Sequence, residues 1–471
     1  MHGETHAQTK TLPTLQTIVP GPKGLPMIGV APKMKRETLL PYLLDMARTH
    51  GDFFRLPFPG IKIYILSNPD WVKHVLQDRT SNYVRSFFYD NMKPIFGNGI
   101  LMSEGDLWRK RRRLMQPAFH AQRLVAVAQI TVERLQEVSE ALEAKASRNE
   151  PFDLGLLCMR LTLDVVTRAL FSNELTVQQQ HEISDAMDVI QDFMGESFWK
   201  IIKIPIGVPT LNNWKFLQAK KKLIRIIDQL IQDHRNPQKS YSDLLSTLVN
   251  AKDGAETLTD AQIRDEVMTL LLAGHETTAN SLAWTFSLLL KHPDILTKLR
   301  SQIATVLHGR APTQADLPQL PYVKWVLEES MRLYPPAYIL SRKTLNDDRI
   351  GNYRVEKNSV VMLSPYLVQR NPGFWENPDV FNPDRFNPEI SKGRHKFAYF
   401  PFGGGPHICI GASMAMIEAQ LILATLIQKF NFIREEPLAG ILDSVPDPLI
   451  TIRLNPSLRV RVEPRFSAQA S

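Results

Sequence analysis

Cysteine is scarce in this chain, and long apolar runs are absent where a targeting segment would lie. Cys158 and Cys409 are the two cysteines among 471 residues, which excludes a disulfide framework and favours a reducing compartment. Residues 1–24 contain no apolar run long enough for a signal peptide or a membrane span. These absences predict a cytoplasmic protein without a membrane anchor, in which Cys158 is a core residue.

The chain also lacks a Gly/Ser linker or a shift in composition that would divide it. Hydrophobic residues make up 44% of the chain and charged residues 22%, proportions typical of a globular protein with a large core. We therefore predict one domain over residues 1–471, with residues 1–29 as an N-terminal tail and proline-rich hinge. No fused reductase domain is expected.

The net charge of +8 does not indicate a nucleic-acid partner. Basic residues are scattered through predicted helices, and no recognisable nucleic-acid-binding motif accompanies them. We expect no nucleic acid to bind.

The most informative stretch is FGGGPHICIG, from Phe402 to Gly411, which contains Cys409. Glycine lets the backbone adopt positive φ and approach a flat group closely. Apolar residues at three- to four-residue spacing predict a helix that begins directly after this loop. The sulfur would then lie at a helix N-terminus, where unpaired N–H groups favour a thiolate.

A single thiolate limits the choice of cofactor. Structural zinc and iron–sulfur sites need three or four Cys or His ligands, and neither a second cysteine nor a CxxC motif lies near Cys409. One axial thiolate suits haem iron, where it favours O–O cleavage. Two alternatives stay open on the residues alone. Cys409 is then either a buried core residue or a nucleophile with His407 as its base.

A long helix is predicted between Thr259 and Pro293. Thr259 and Gln262 form the T-x-x-Q pattern of a capping box. The helix of about thirty-two residues would be about 48 Å long. Its middle, AGHETT at residues 273–278, contains a helix-weakening Gly274 and two threonines that can bond back to carbonyls one turn earlier. On its own, this motif is explained by a packing kink.

Three shorter motifs accompany these two. Trp108 and Arg112 lie four residues apart on one face of a basic helix, and Glu329 and Arg332 lie three apart on another. PDRF follows at residues 383–386. Alone, the basic run predicts a solvated surface, and an exposed acidic–basic pair contributes only about 0–1 kcal/mol.

Together, in this order, the five motifs resemble the cytochrome P-450 family. The cysteine loop is similar to its haem-thiolate signature F-x-x-G-x-R-x-C-x-G, except that His407 stands in place of the usual arginine. AGHETT resembles its oxygen-binding groove. The resemblance implies a mainly α fold with a smaller β-rich part. Haem b would lie between the long central helix and the cysteine-loop helix.

The resemblance also implies residue roles. Cys409 would be the axial haem ligand, and Thr277 and Glu276 would supply the protons that oxygen activation consumes in a dry pocket. Other cofactor-binding residues would be Trp108, Arg112, Ala273, Gly274, Arg342, Phe402, His407 and Gly411. A structural triad would consist of Glu329, Arg332 and Arg385. The substrate pocket would be lined by Phe87, Phe88, Phe193, Ala273, Ala337, Ile339 and Leu449.

The implied activity is a monooxygenase that inserts one atom of O2 into a lipophilic substrate such as a fatty acid, terpenoid or steroid. Electrons would come from a separate ferredoxin or flavodoxin and its reductase. Arg111, Arg113 or Lys396 would contribute to a basic docking face for it. A peroxide-using haem-thiolate enzyme would lack the acid–alcohol pair, and a gas-binding sensor usually carries an output domain. A Cys-His hydrolase would be colourless.

Two positions depart from the family pattern. His407 can donate a hydrogen bond, but a histidine is expected to be charged only partly near neutral pH. Gln369 stands where many relatives have histidine, and the sequence predicts no effect for it.

Overall fold

The computed structural model describes residues 18–172, 175–199, 204–253, 256–435 and 444–465. Within these ranges the α-helices are α1 (Leu39–His50), α2 (Pro69–Lys73), α3 (Lys93–Phe96), α4 (Gly105–Met115), α5 (Ala121–Ser147), α6 (Leu154–Phe171), α7 (Val177–Trp199), α8 (Leu211–Arg235), α9 (Leu244–Val249), α10 (Asp260–Lys291), α11 (Pro293–Leu307), α12 (Pro321–Leu333), α13 (Pro365–Val368), α14 (Pro388–Ser391) and α15 (Ala412–Lys429).

The strands are short. They are β1 (Phe53–Phe58), β2 (Ile61–Leu66), β3 (Tyr83–Arg85), β4 (Phe152–Asp153), β5 (Lys252–Asp253), β6 (Glu256–Thr257), β7 (Leu340–Thr344), β8 (Asp348–Ile350), β9 (Tyr353–Val355), β10 (Val360–Leu363), β11 (Phe430–Arg434), β12 (Val445–Pro448), β13 (Ile452–Asn455) and β14 (Arg459–Pro464). The largest sheet has the order β1-β2-β10-β7-β3, in which β2 and β10 are parallel and the other neighbours antiparallel. The predicted mainly α fold with a smaller β-rich part is confirmed.

The central helix α10 begins as the sequence predicts. Thr259 Oγ1 accepts a hydrogen bond from Gln262 N at 3.3 Å, and Gln262 Oε1 accepts one from Thr259 N at 3.0 Å, which completes the capping box. The helix then runs for 32 residues to Lys291. Most of its side chains are buried on every face, as expected for a helix that passes through the core.

Two hydrophobic clusters surround this helix. The larger contains buried side chains of α5, α6, α8, α10, α12 and α15. The second joins α1 to β1, β2, β10 and β13. Cys158 lies in the larger cluster with 1% of its surface exposed, and burial raises the pKa of its thiol to about 12. The prediction that Cys158 is a core residue is confirmed.

The three residues of the expected structural triad contact one another, two of them from α12. Arg332 Nε and Nη2 donate to the two carboxylate oxygens of Glu329 at 2.7 and 2.9 Å, and Arg385 Nε donates to Glu329 Oε1 at 3.3 Å. Neither Glu329 nor Arg332 has any exposed side-chain surface. A buried pair of this kind is held by many hydrogen bonds rather than by charge alone.

Gln369 adds hydrogen bonds beside this triad, although the sequence of the chain predicts no role for it. Its Nε2 donates to the carbonyls of Met331 and Arg332 at 3.0 and 3.1 Å, and its Oε1 accepts from Phe400 N at 3.0 Å. Gln369 therefore connects the C-terminal end of α12 to the segment that leads into the cysteine loop.

Among the helices of the described ranges, none combines the length and the hydrophobicity that crossing a bilayer requires.

Candidate active site

A cavity of about 320 Å³ lies between α10 and the cysteine loop. Cys409 and Thr277 both line it, as do parts of α4, α15 and the segment around β7. Of the predicted cofactor and pocket residues, those on its walls are Trp108, Arg112, Ala273, Gly274, Thr277, Ala337, Arg342, Phe402, His407, Cys409 and Gly411. The structure thus brings together residues that lie up to 303 positions apart, from Trp108 to Gly411.

Cys409 has its accessible surface towards this internal cavity rather than towards the outside of the protein. Its backbone N donates to Phe402 O at 2.9 Å, and α15 begins three residues later with Gly411 as N-cap. Burial raises the pKa of the thiol, while the N–H groups of Gly411 and Ala412 and the charge of Arg112 oppose that rise. Burial therefore opposes the ionisation of the thiol that the helix N-terminus favours.

The glycines of the loop serve two purposes. Gly403 has φ +73° and lies on the cavity wall, where an added Cβ would be in van der Waals contact with Leu340 at 3.8 Å. Gly405 has φ +66°, and a Cβ there would lie 1.8 Å from Leu76 O. Gly403 therefore supplies a positive φ at the cavity, whereas Gly405 lets the loop pack against the protein.

Thr277 and Gly274 form the α10 side of the cavity. Thr277 Oγ1 donates to Ala273 O at 2.8 Å, which is the predicted bond to a carbonyl one turn earlier. A Cβ on Gly274 would lie 3.2 Å from Val166 Cγ2. Gly274 therefore lets α6 approach α10 closely, a packing purpose that accompanies its place on the cavity wall.

Glu276 lies off the cavity wall, on another side of α10 from Thr277. Its Oε1 accepts from Thr451 Oγ1 at 2.7 Å, from Arg453 Nη2 at 2.8 Å and from Arg453 Nε at 3.0 Å. Both donors belong to the C-terminal part of the chain. AGHETT contains no signal for this contact, because the two donors lie so far along the chain.

One wall of the cavity carries an excess of positive charge. Arg85, Arg112 and Arg342 all line it, and Arg85 lies opposite Arg342 in the β3–β7 pairing. Glu104 pairs with Arg85 at 2.9 Å. Arg85 Nε is buried without a hydrogen-bond partner in the described part of the chain. Sequence reasoning missed Arg85, since its position beside the cavity depends on strand register rather than on a motif.

His407 stacks on Trp108 on the same wall, with ring centroids 4.0 Å apart. Burial, together with the charges of Arg85, Arg342 and Arg112, lowers the pKa of His407 to about 3. These surroundings therefore favour the neutral imidazole over its charged form.

Five of the seven predicted pocket residues do not lie on the described walls of the cavity. Phe193 instead stacks on Phe216 of α8, with centroids 4.2 Å apart, and Phe87 stacks on Phe88 at 4.4 Å. The other two are Ile339, in the second cluster, and Leu449, which is buried. Aromatic side chains thus pack against one another, and the lining is supplied mainly by aliphatic residues that the sequence did not single out. These include Ile100, Leu101, Val166 and Leu340.

The proposed docking residues differ in exposure. Arg111 is 3% exposed and forms an ion pair with Glu266 of α10, so the prediction that it contributes to a docking face is wrong. Arg113 and Lys396 are exposed. The error arose because the basic run of α4 is amphipathic, and helical spacing turns Arg111 inwards.

Comparison with known proteins assigns the sequence to a family. The family model described as cytochrome P450 matches residues 19–452. Cyclooctatin synthase of Streptomyces melanosporofaciens is 34% identical over 464 residues, which cover 98% of both chains. Pentalenene oxygenase of Streptomyces avermitilis is 30% identical over 459 residues, covering 95% of this chain and 98% of the relative. Cyclooctat-9-en-7-ol 5-monooxygenase of Streptomyces melanosporofaciens is 30% identical over 419 residues, covering 87% and 88%.

The family implies a haem-thiolate cofactor, O2, an organic substrate and a redox partner. A match over residues 19–452 takes in each of the five motifs and every wall of the cavity. The chain therefore belongs to the cytochrome P450 family and is an oxidoreductase of the monooxygenase class.

Proposed function

We propose that this monooxygenase holds haem b with Cys409 as axial ligand and hydroxylates a terpenoid. The observation that carries the proposal is the shared cavity, in which the Cys409 thiol, Gly403 and the Thr277 hydroxyl meet. Residues 1–471 would act as one catalytic domain.

The charge on one wall fits a haem. Arg85, Arg112 and Arg342 provide three guanidinium groups there, one of which, Arg85, pairs with Glu104, and guanidinium groups suit the two carboxylates that haem b carries. When bound, the haem with its thiolate ligand supplies the activation of dioxygen.

The chain's own residues then have separate tasks. Arg85, Arg112 and Arg342 hold the carboxylates, and Trp108 and His407 fill the space beside them. Thr277 Oγ1 donates a hydrogen bond to Ala273 O. Its lone pairs are therefore available to accept a hydrogen bond from a water in the cavity. The aliphatic lining excludes other water, which limits the loss of protons and electrons to side reactions.

A terpenoid substrate is supported by two observations. The cavity lining is mainly aliphatic, including Ile100, Leu101 and Leu340, and such a lining binds apolar molecules. The relatives that cover almost the whole chain are named as a cyclooctatin synthase and a pentalenene oxygenase. A terpenoid is therefore the substrate class we favour over a fatty acid or a steroid.

Titration of the purified protein with terpenoids, fatty acids and steroids tests this substrate class. We expect at least one cyclic terpenoid to shift the haem Soret band and to yield a product one oxygen atom heavier by mass spectrometry. Fatty acids and steroids serve as matched apolar controls. A shift and turnover with fatty acids alone would contradict the terpenoid assignment while leaving the monooxygenase class intact.

The electrons would come from a separate acidic ferredoxin or flavodoxin that docks near Lys396 and Arg113. Electrostatic steering weakens as salt shortens the Debye length from about 30 Å at 0.01 M to about 3 Å at 1 M. We expect the rate of reduction to fall with ionic strength, and Lys396→Glu to flatten this dependence. Lys239→Glu, in the connection between α8 and α9, is the control. Equal salt profiles for all three proteins would remove the docking assignment.

A further inference from the structure

The C-terminal hairpin β12–β13 is hydrogen-bonded both to the cavity wall and to α10. Ile452 N donates to Pro336 O at 3.2 Å, next to Ala337 on the cavity wall. On the other side, Trp284 Nε1 of α10 donates to Ile452 O at 3.2 Å. The backbone of the hairpin is therefore fixed against α10.

Two hairpin side chains converge on one oxygen of Glu276. Thr451 Oγ1 and both Arg453 nitrogens donate to Glu276 Oε1 at 2.7 to 3.0 Å. Asn280 Nδ2, one turn along α10, donates to the same Thr451 Oγ1 at 2.9 Å. This hydrogen bond leaves Thr451 free to donate its own proton to Glu276, so the direction of the chain of hydrogen bonds is fixed.

Arg453 also connects the buried carboxylate to the surface. The side chain of Glu276 is 7% exposed and that of Arg453 25% exposed. Partial burial and neighbouring Asp192 raise the pKa of Asp188, a residue of α7 that still reaches solvent, while Arg160 and Arg453 lower it. Arg453 thus lies within electrostatic reach of a carboxylate at the surface and in contact with one in the interior.

We propose that Thr451 and Arg453 are positioning residues that hold Glu276 where it receives protons from solvent. Glu276 does not itself line the cavity, so each proton that it releases would reach Thr277 through water. A proton from water at the Arg453 side would replace it, and the carboxyl group would return to its starting state. The inference rests on the proposed function and on the role as a proton source that the family resemblance implies for Glu276. It adds that residues of the hairpin, and not those of α10 alone, maintain the supply of protons.

Arg453→Met should leave haem content and substrate binding unchanged. It should lower the product formed per NAD(P)H about tenfold, the effect of losing hydrogen bonds to a charged group, and should raise the solvent deuterium isotope effect on turnover. Arg453→Lys keeps the cation and should restore most of both values. Thr451→Val should change them in the same direction. Arg459→Met, at an exposed position of β14, is the matched control and should behave as the parent protein.

Hydrogen–deuterium exchange without turnover provides an independent readout, in which Arg453→Met should increase exchange in residues 445–455 and leave α15 unchanged. An isotope effect and coupling equal to the parent in Arg453→Met, while Glu276→Gln is impaired, would overturn the inference and leave the proposed function intact. If Glu276→Gln itself is fully coupled, the role of Glu276 fails, and the inference fails with it. Loss of the haem-thiolate spectrum in the parent protein would instead refute the proposed function.

Discussion

Replacing Glu329 with alanine is expected to lower the free energy of unfolding by about 3–5 kcal/mol, because a buried cation loses its counter-charge. Arg332 has no exposed side-chain surface, and its Nε and Nη2 both donate to Glu329. Arg385 and the backbone N of Asn382 lose an acceptor in the same substitution. The measurement is a urea unfolding curve followed by circular dichroism.

The exposed pair of Asp106 and Arg109 on α4 gives the matched control. These residues are also three apart on a helix, but their side chains are 95% and 64% exposed. Asp106→Ala should therefore cost about 0–1 kcal/mol. If the two substitutions shift the unfolding midpoint equally, burial does not determine the contribution of the Glu329 pair.

Thr277→Ala is expected to divert electrons from product to hydrogen peroxide. The hydroxyl lines the cavity, and its hydrogen bond stays within α10, so haem and substrate binding should survive the change. Positioned proton transfer contributes about 10²–10⁴-fold to reactions of this kind. We therefore expect product per NAD(P)H to fall at least about tenfold, with peroxide measured in parallel.

Thr278→Ala controls for the loss of a threonine at this point of α10. Thr278 also lines the cavity and donates to a carbonyl one turn earlier, Gly274 O at 3.1 Å. Its coupling should remain close to that of the parent protein. Unchanged coupling in Thr277→Ala, or an equal loss in both variants, would count against a specific role for Thr277.

Local patterns predicted the elements around the cavity well. The capping box of Thr259 and Gln262 fixed the start of α10, and apolar spacing placed α15 directly after Cys409 within three residues. These features depend on neighbours in the chain, so the sequence contains the information needed to predict them.

Residues whose roles depend on strand register or on distant segments were not predictable in this way. Arg85 reaches the cavity because β3 pairs with β7, and Arg453 reaches Glu276 because the C-terminal hairpin folds back onto α10. Arg111 was misassigned because exposure along a basic helix depends on which face meets α10. The prediction that aromatic residues line the pocket failed for a similar reason, since Phe193 stacks on a residue of α8.

The bond between sulfur and haem iron is the central claim, and the absorption spectrum of the reduced protein with carbon monoxide tests it most directly. We expect the strongly red-shifted Soret band that thiolate coordination produces, and its loss in Cys409→Ser. Cys158→Ser, at the other cysteine, should keep it. A reduced protein that binds carbon monoxide without this shift, or one that binds no haem at all, would contradict the account.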